Sequence, residues 1–410
     1  MTFDTKVKVL EDLMKLESGY AFKSASWVDS GTPVIKIRNV KDGYVDLSGC
    51  SFVNAEIAKK ADGWYGEVGN TLIALTGAGV GEIGRIRDGQ TGLINQRVGL
   101  VRSKKLDDED YVYFLLRYFK AEIIELASGS AQPNVSPKDI LRIPCEVPRE
   151  IVRKKIGSIL SSLDEKIAVN NRLSVTLEDI AREIFQSWFI DFEPVKVKMA
   201  GEEPAGMDAA TRALFPETMV ESELGMIPKG WEVKVLGDLV TPKKGKTITK
   251  ASCVGGEVPV VAGGLQPAYF HNKSNVAQPA ITVSASGANA GFVRLYLKDI
   301  WASDCSYINS ELTRNVYFWF LFLSRNQEII YGMQQGAAQP HIYPSDLMRL
   351  KLAFPSDLGA VLMFEETVTP LFLEIGSLEQ QNRSLRSLRD SLLPRLISGE
   401  LQIPEEMLVS

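Results

Sequence analysis

Residues 128–140 read SGSAQPNVSPKDI, and residues 335–347 read QGAAQPHIYPSDL. Gly129, Gln132, Pro133, Pro137 and Asp139 return as Gly336, Gln339, Pro340, Pro344 and Asp346, each 207 residues later in a chain of 410. Prolines and glycines fix backbone shape rather than fill space. Their recurrence at one register therefore points to a repeated local conformation. A period of this size is far too long for a solenoid, so it predicts two domain-sized units built on one plan.

The repeat extends outward from that phrase. VKVLEDL (7–13) returns as VKVLGDL (233–239) at an offset of 226, which sets Gly19 on Gly245 and Pro33 on Pro259. TLIALTGAGVGEI (71–83) matches AITVSASGANAGF (280–292), pairing Gly77 and Gly81 with Gly287 and Gly291 at 210. VYF at 112–114 pairs with VYF at 316–318. The offset shrinks from 226 to 207, so the first copy carries 226 − 207, or about nineteen, extra residues. Insertions of that size are expected in surface loops.

Each copy then becomes helical. The first helix is expected to start near Pro148, a good first-turn proline. A 4-3-4-3 spacing selects Ile156, Leu160, Leu163, Ile167, Asn170, Ser174, Leu177, Ala181, Ile184 and Trp188, eight of them apolar. That is a heptad seam. The second helix shows Leu371, Ile375, Leu378, Leu385, Leu388, Leu392 and Leu396, and Asn171, Arg172, Leu177 and Asp179 return there as Asn382, Arg383, Leu388 and Asp390. Pro370 starts or kinks this helix, Pro394 should disturb its last turns, and Gly399 ends it. A helix of about 40 residues spans about 60 Å. With one apolar seam it needs a partner, and the other long helix is the one available. A pseudo-two-fold relation between the halves makes the pair antiparallel. Asn170 and Gln381 interrupt the seam and would help set its register.

The resulting layout is a first globular unit (1–147), a central long helix (148–192), a connector rich in Pro, Gly and acid (193–228), a second globular unit (229–354), a C-terminal long helix (355–401) and a tail (402–410). The globular units mix strand-like runs (PVIKIRNV, TLIALT, AITVSAS) with short helices such as YVYFLLRYF, so the fold class is α+β. Hydrophobic content of 45% and charged content of 24% suit a folded globular protein. No apolar run is long enough for a membrane span, and MTFDTKVKVLEDL lacks a signal-peptide core. The expected location is the cytoplasm, with no membrane partner.

Catalytic signatures are missing. Cys50, Cys145, Cys253 and Cys305 form no CxxC pair, and His271 and His341 sit in no motif. No NPPY-like element and no Walker A lysine loop is present. Gly79-x-Gly81-x-x-Gly84 follows the strand-like TLIALT, but a cofactor loop needs a helix next. RIRDGQTGLINQRV reads instead as turn and strand. No cofactor and no metal is expected.

The net charge of −5 argues against a nucleic-acid partner until its distribution is considered. Lys229 to Lys250 holds six lysines against Glu232 and Asp238, whereas Glu193 to Glu223 holds seven acids against Lys196, Lys198 and Arg212. A solvated lysine face is the plain alternative for 229–250. Two similar heads on a helical rod match a ligand that also repeats, and duplex DNA with spaced half-sites is such a ligand.

At this point the residues carry a resemblance. The paired phrases, the helix LSSLDEKIAVNNRLSVTLEDIAREIFQSWFIDFEPV, the joint ELGMIPKGWEVKVLGDL and the terminal LRDSLLPRLISGEL together resemble specificity subunits of Type I restriction–modification systems, over nearly the whole chain. The resemblance implies two target recognition domains, each binding one part of a split double-stranded DNA sequence. It also implies a helical pair that sets the gap, docking of two modification (methyltransferase) subunits, restriction (translocase/nuclease) subunits in the larger complex, and catalysis in those partners.

Phosphate contacts supply affinity and base edges supply specificity. Candidate DNA contacts are Lys36, Arg38, Arg85, Arg87, Arg97, Lys104, Lys105 and Gln132 in the first head, and Lys243, Lys244, Lys246, Lys250, Lys273, Arg294 and Gln339 in the second. The shared Gln132 and Gln339 cannot distinguish two half-sites, so a structural or backbone-contact role suits them. Two other classes stand beside this reading: a self-sufficient methyltransferase or nuclease, and a two-headed protein-binding scaffold.

Overall fold

The computed structural model describes residues 6–127, 133–204, 206–336 and 340–408. Its contacts divide the chain into two units, 1–168 with 382–410, and 169–381.

In the first unit, TLIALT forms the strand Thr71–Ala74, buried at all four positions. It lies inside a four-stranded antiparallel sheet in the order Ile83–Arg85, Thr71–Ala74, Val98–Ser103, Met14–Ser18. A second sheet holds Thr32–Ile35 parallel to Gly92–Ile94. PVIKIRNV makes a shorter strand than its alternation predicts. The Lys36 N–H donates to Asn39 Oδ1 at 3.0 Å, which closes a turn and ends the strand at Ile35. Lys6–Val9 pairs antiparallel with Pro144–Val147, tying the unit's start to its last strand.

The second unit repeats this wiring. Its antiparallel sheet runs Lys243–Lys244, Cys305–Asn309, Ala280–Ser284, Val293–Tyr296. Val258–Val261 is parallel to Trp301–Ala302, and Trp231–Val235 pairs with Lys351–Pro355. The VYF helices are Glu109–Tyr118 and Val316–Arg325, each with its apolar side chains in its own unit's core.

The extra residues of the first copy are not a bare loop. They add the hairpin of Val40–Lys41 with Tyr44–Val45 and the helix Ala55–Lys60, whereas the strand Ser51–Val53 between them has its counterpart in Tyr269–His271. Val53 and Ala61 pack there with Val34, Leu93, Tyr20, Trp27 and Ile57 in a small separate core. The apolar Ile57, Ala58 and Ala61 pack against Val34 and Leu93 of the sheet, so the inserted helix folds.

The long helices are Glu150–Phe189 and Gly359–Ile397. All ten predicted seam positions of the first are buried or half-buried. Within the second unit, Asn170 meets Gln381 at 3.5 Å and Phe185 meets Phe364 at 5.7 Å between ring centroids. One number rises as the other falls, so the segments run antiparallel. Within the first unit, Asp164 pairs with Arg389 at 2.5 Å, and Val152, Ile156 and Leu160 share a core with Leu393, Leu396 and Ile397.

Two details of the second helix differ from expectation. Leu388 is 47% exposed while Arg389 is buried, because Asp164 places a carboxylate opposite the latter. Pro370 and Pro394 interrupt neither the helix nor its last turn, and Leu396 and Ile397 beyond Pro394 are buried. Packing of that apolar end outweighs the one hydrogen bond each proline forfeits.

The connector is also more structured than its composition suggests. It forms helices Glu193–Met199 and Ala209–Ala213 and a hairpin of Met219–Ser222 with Gly225–Pro228. Val195, Phe215 and Ile227 sit in the second unit's core. In the tail, Ile403 and Leu408 are buried in the first unit.

Candidate nucleic-acid interface

The repeated phrase recurs because each copy closes the same glycine turn. The Gly77 N–H donates to the Pro133 carbonyl at 2.9 Å, and the Gly287 N–H to the Pro340 carbonyl at 3.1 Å. Two residues on, the Val135 N–H donates to the Leu75 carbonyl and the Ile342 N–H to the Ala285 carbonyl. Pro137 and Pro344 open short helices, where Asp139 accepts from Ser136 Oγ at 2.8 Å and Asp346 accepts from the Tyr343 N–H at 2.9 Å. Gln132 and Gln339 lie outside the described residues.

The turn itself needs glycine. Gly81 and Gly291 have φ of 81° and 90°, where L side chains are strained. A Cβ on Gly81 would lie 2.7 Å from Ile124, and one on Gly291 would lie 3.0 Å from Ile330. The turn thus presses on the helix behind it. After Gly79 and Gly81 the chain enters the strand Ile83–Arg85, and a Cβ on Gly84 would meet the Tyr44 carbonyl at 2.4 Å. These glycines serve packing and lead into a strand, whereas a dinucleotide loop leads into a helix.

In the first unit most candidate cations are already engaged. Arg85 pairs with Asp110 at 2.6 Å, donates to the Gly69 carbonyl at 3.1 Å and lies 5.1 Å from the Tyr113 ring centroid. Lys36 donates to Ser51 Oγ at 2.8 Å with its ammonium 3.7 Å from the Trp27 ring centroid. Burial, then the Arg38 charge, pull its pKa below the ordinary lysine value. Arg38 donates to the Gly49 carbonyl and Lys105 pairs with Glu150. Arg97 and Lys104 are exposed and Arg87 is half-exposed, none with an ion pair among the described residues.

In the second unit Lys243, Lys244, Lys246, Lys250 and Lys273 are all exposed and form no ion pair among the described residues. Arg294 donates to the Leu265 carbonyl at 2.7 Å and lies 5.0 Å from the Tyr296 ring centroid.

Among the described residues no group of three His, Cys, Asp or Glu could hold a metal ion. His271 is buried, its Nδ1 accepting from the Val254 N–H at 3.0 Å, and His341 stacks on Tyr343. Burial pushes the Cys145 thiol up to about 11 and the Cys305 thiol to about 12, so neither is a ready thiolate at neutral pH. An aromatic group the sequence reading did not single out stands on the first unit: Tyr20 lies 5.0 Å from Phe22 and 5.4 Å from Trp64, and Phe22 lies 5.5 Å from Trp27. The offset of 226 already matched Tyr20 to Lys246, which was the available signal.

Comparison with known proteins agrees with this architecture. The family model described as Type I restriction modification DNA specificity domain matches residues 4–179 and 228–358, one stretch for each copy of the repeat. The chain is 27% identical over 349 residues to the Type I restriction enzyme HindI specificity subunit of Haemophilus influenzae, covering 69% of this chain and 74% of that protein. It is 25% identical over 321 residues to the MjaIX specificity subunit of Methanocaldococcus jannaschii, covering 72% and 70%. The crystal structure of a Type-I restriction-modification system S subunit from M. genitalium has the same fold, with a TM-score of 0.56 and 14% identity over 98% of this chain and 97% of that one. With the domain matched twice across most of its length, the chain belongs to the Type I restriction–modification DNA specificity family, as a specificity subunit.

Proposed function

We propose that each recognition domain binds one half of a split double-stranded DNA target and that the long helices fix the gap between the halves. The chain itself does no chemistry in this reading. Modification subunits that dock on it carry methyl transfer, restriction subunits join the larger complex, and the work is done in the cytoplasm. No described helix is long and apolar enough to cross a membrane.

One observation carries the reading: the chain builds the same sheet-and-turn framework twice while changing the side chains it displays. A duplicated scaffold with divergent surfaces suits two different half-sites, since specificity lies in contacts to base edges. Docking is supported by Val169, Leu173, Thr176 and Ile180, which recur at 4-3-4 spacing on the first long helix and are all exposed. A mostly apolar helical stripe left facing solvent, interrupted by Thr176, fits a partner helix.

The test is the methylome of a host with and without this chain, its modification subunits being present in both. A bipartite methylated motif should vanish on deletion. Exchanging residues 229–354 for those of another specificity subunit should change one half-motif and leave the other. If every motif survives deletion, or if both halves change together, the reading is wrong.

A further inference from the structure

The two units hold one stretch of backbone identically and give it opposite side chains. In the second unit Lys243 and Lys244 form an edge strand opposite Tyr307 and Ser306. The Gly245 N–H then donates to the Cys305 carbonyl at 2.8 Å and the Lys246 N–H to the Ala302 carbonyl at 2.9 Å. Trp301 Nε1 donates to the Lys246 carbonyl at 2.8 Å, and the Ile248 N–H to Ser303 Oγ at 3.2 Å. A Cβ on Gly245 would lie 2.4 Å from the Ser303 carbonyl oxygen. The backbone is clamped down while Lys243, Lys244, Lys246 and Lys250 stand in solvent.

In the first unit Glu17 and Ser18 sit opposite Leu100 and Gly99. The Gly19 N–H donates to the Val98 carbonyl at 3.0 Å and the Tyr20 N–H to the Ile94 carbonyl at 2.8 Å, with a Cβ on Gly19 only 2.2 Å from the Ile94 carbonyl oxygen. At the offset of 226, Glu17, Ser18, Tyr20 and Ser24 therefore replace Lys243, Lys244, Lys246 and Lys250. Glu17 pairs with Arg102 at 3.5 Å, and beside it opens a cleft of about 650 Å³ walled by Leu16, Trp64, Pro137 and Leu141.

We propose that the second unit supplies most of the salt-dependent share of the DNA affinity, through this lysine ledge on the phosphate backbone, and that the first unit lacks an equivalent. The proposal rests on DNA being the ligand. Residues 229–354 contain 13 Lys and Arg against 8 Asp and Glu, whereas residues 1–147 contain 19 against 20. Several cations of the first unit are also paired, as in Arg85 with Asp110 at 2.6 Å, Arg117 with Asp42 at 3.3 Å and Lys120 with Glu82 at 3.0 Å, although Arg87, Arg97 and Lys104 form no ion pair among the described residues. Each phosphate a protein neutralises releases counterions, and the plot of log affinity against log salt steepens by about 0.9 per contact. Four unpaired lysines on a fixed backbone are placed to do this; a glutamate, a tyrosine and two serines are not.

The test measures binding of the full-length chain, alone and with its modification subunits, to a duplex of random sequence between about 50 and 200 mM salt. Changing Lys243, Lys244, Lys246 and Lys250 together to Ala should reduce the slope by up to about 3.6, or about 0.9 per lysine, and changing all four to Arg should keep it. The melting temperature of each variant checks that the fold is intact, as expected for exposed side chains. Glu17→Lys with Ser18→Lys should steepen the slope. Methylated half-sites should stay the same in the Ala variant, because phosphate contacts carry no sequence. A wild-type slope in the Ala variant, or an altered half-site, overturns the proposal while DNA binding stands. Failure of the unaltered chain and its complex to bind any duplex removes the DNA reading and this proposal with it.

Discussion

Replacing Asp164 by Ala strands a buried cation. Asp164 and Arg389 are 8% and 7% exposed, and their 2.5 Å ion pair joins the two long helices inside the first unit. Burial opposes the Arg389 charge, and Asp164, by its own charge and hydrogen bond, more than offsets it, so the guanidinium is held above its ordinary pKa. Asp164 also lies 3.4 Å from the Tyr113 hydroxyl, which accepts from Arg117 at 2.8 Å. Without Asp164, the one ion pair left to Arg389 among the described residues is with the exposed Asp390. Breaking one partner of a buried pair costs about 3–5 kcal/mol. For a unit of this size each kcal/mol moves the melting temperature by about 2–4 °C, so Asp164→Ala should lower it by about 6–20 °C. Scanning calorimetry of the full chain reads the shift, and hydrogen exchange should show protection lost at Tyr113–Leu116 in particular. The companion variant, Asp164→Leu with Arg389→Leu, removes both charges and should recover most of the loss, because neither group must then be desolvated. A shift below about 2 °C in the single variant, or a double variant as unstable as the single, refutes the argument.

Three further outcomes are expected. Glu365 accepts from the Tyr317 and Phe318 N–H groups at 3.0 and 2.9 Å, and burial raises its pKa from 4.5 to about 7 against the opposing pull of those bonds. A carboxyl raised in the fold binds a proton the unfolded chain has released, so its stabilisation is present below about pH 4.5 and is lost as pH rises to about 7. Across that window the stability of the wild type relative to Glu365→Gln should fall by up to about 3 kcal/mol; a rise would contradict the assignment. Gly81→Ala and Gly291→Ala should each cost about 1–2 kcal/mol or more from the left-handed backbone alone, while Gly79→Ala, whose Cβ would meet nothing nearer than 3.9 Å, should be close to neutral in chemical denaturation. Inserting four residues into both long helices near Asn170 and Gln381 adds about 6 Å per helix, so the methylated motif should keep its half-sites and gain nearly two base pairs of gap; altered half-sites with an unchanged gap would exclude the helices as a ruler.

The sequence by itself determined the duplication, the α+β class and the first helical seam, because these rest on local rules. Proline and glycine positions specify backbone shape without reference to neighbours, and a 4-3-4-3 spacing puts residues on one helix face whatever that face meets. The absence of a helix after Gly84 was legible for the same reason. Tertiary structure alone decided which polar residues enter the interior. Leu388 and Arg389 are adjacent, and nothing local says that the arginine is buried and the leucine exposed; the carboxylate of Asp164, 225 residues away, decides it. The connector and tail looked like spacers until Phe215 and Leu408 found cores to enter. The candidate contacts divided on the same ground. Arg85 and Lys243 read alike as cations in a sequence. Only the fold gives one of them Asp110, Gly69 and Tyr113 as neighbours and leaves the other in water, since burial and pairing depend on groups brought together from distant parts of the chain.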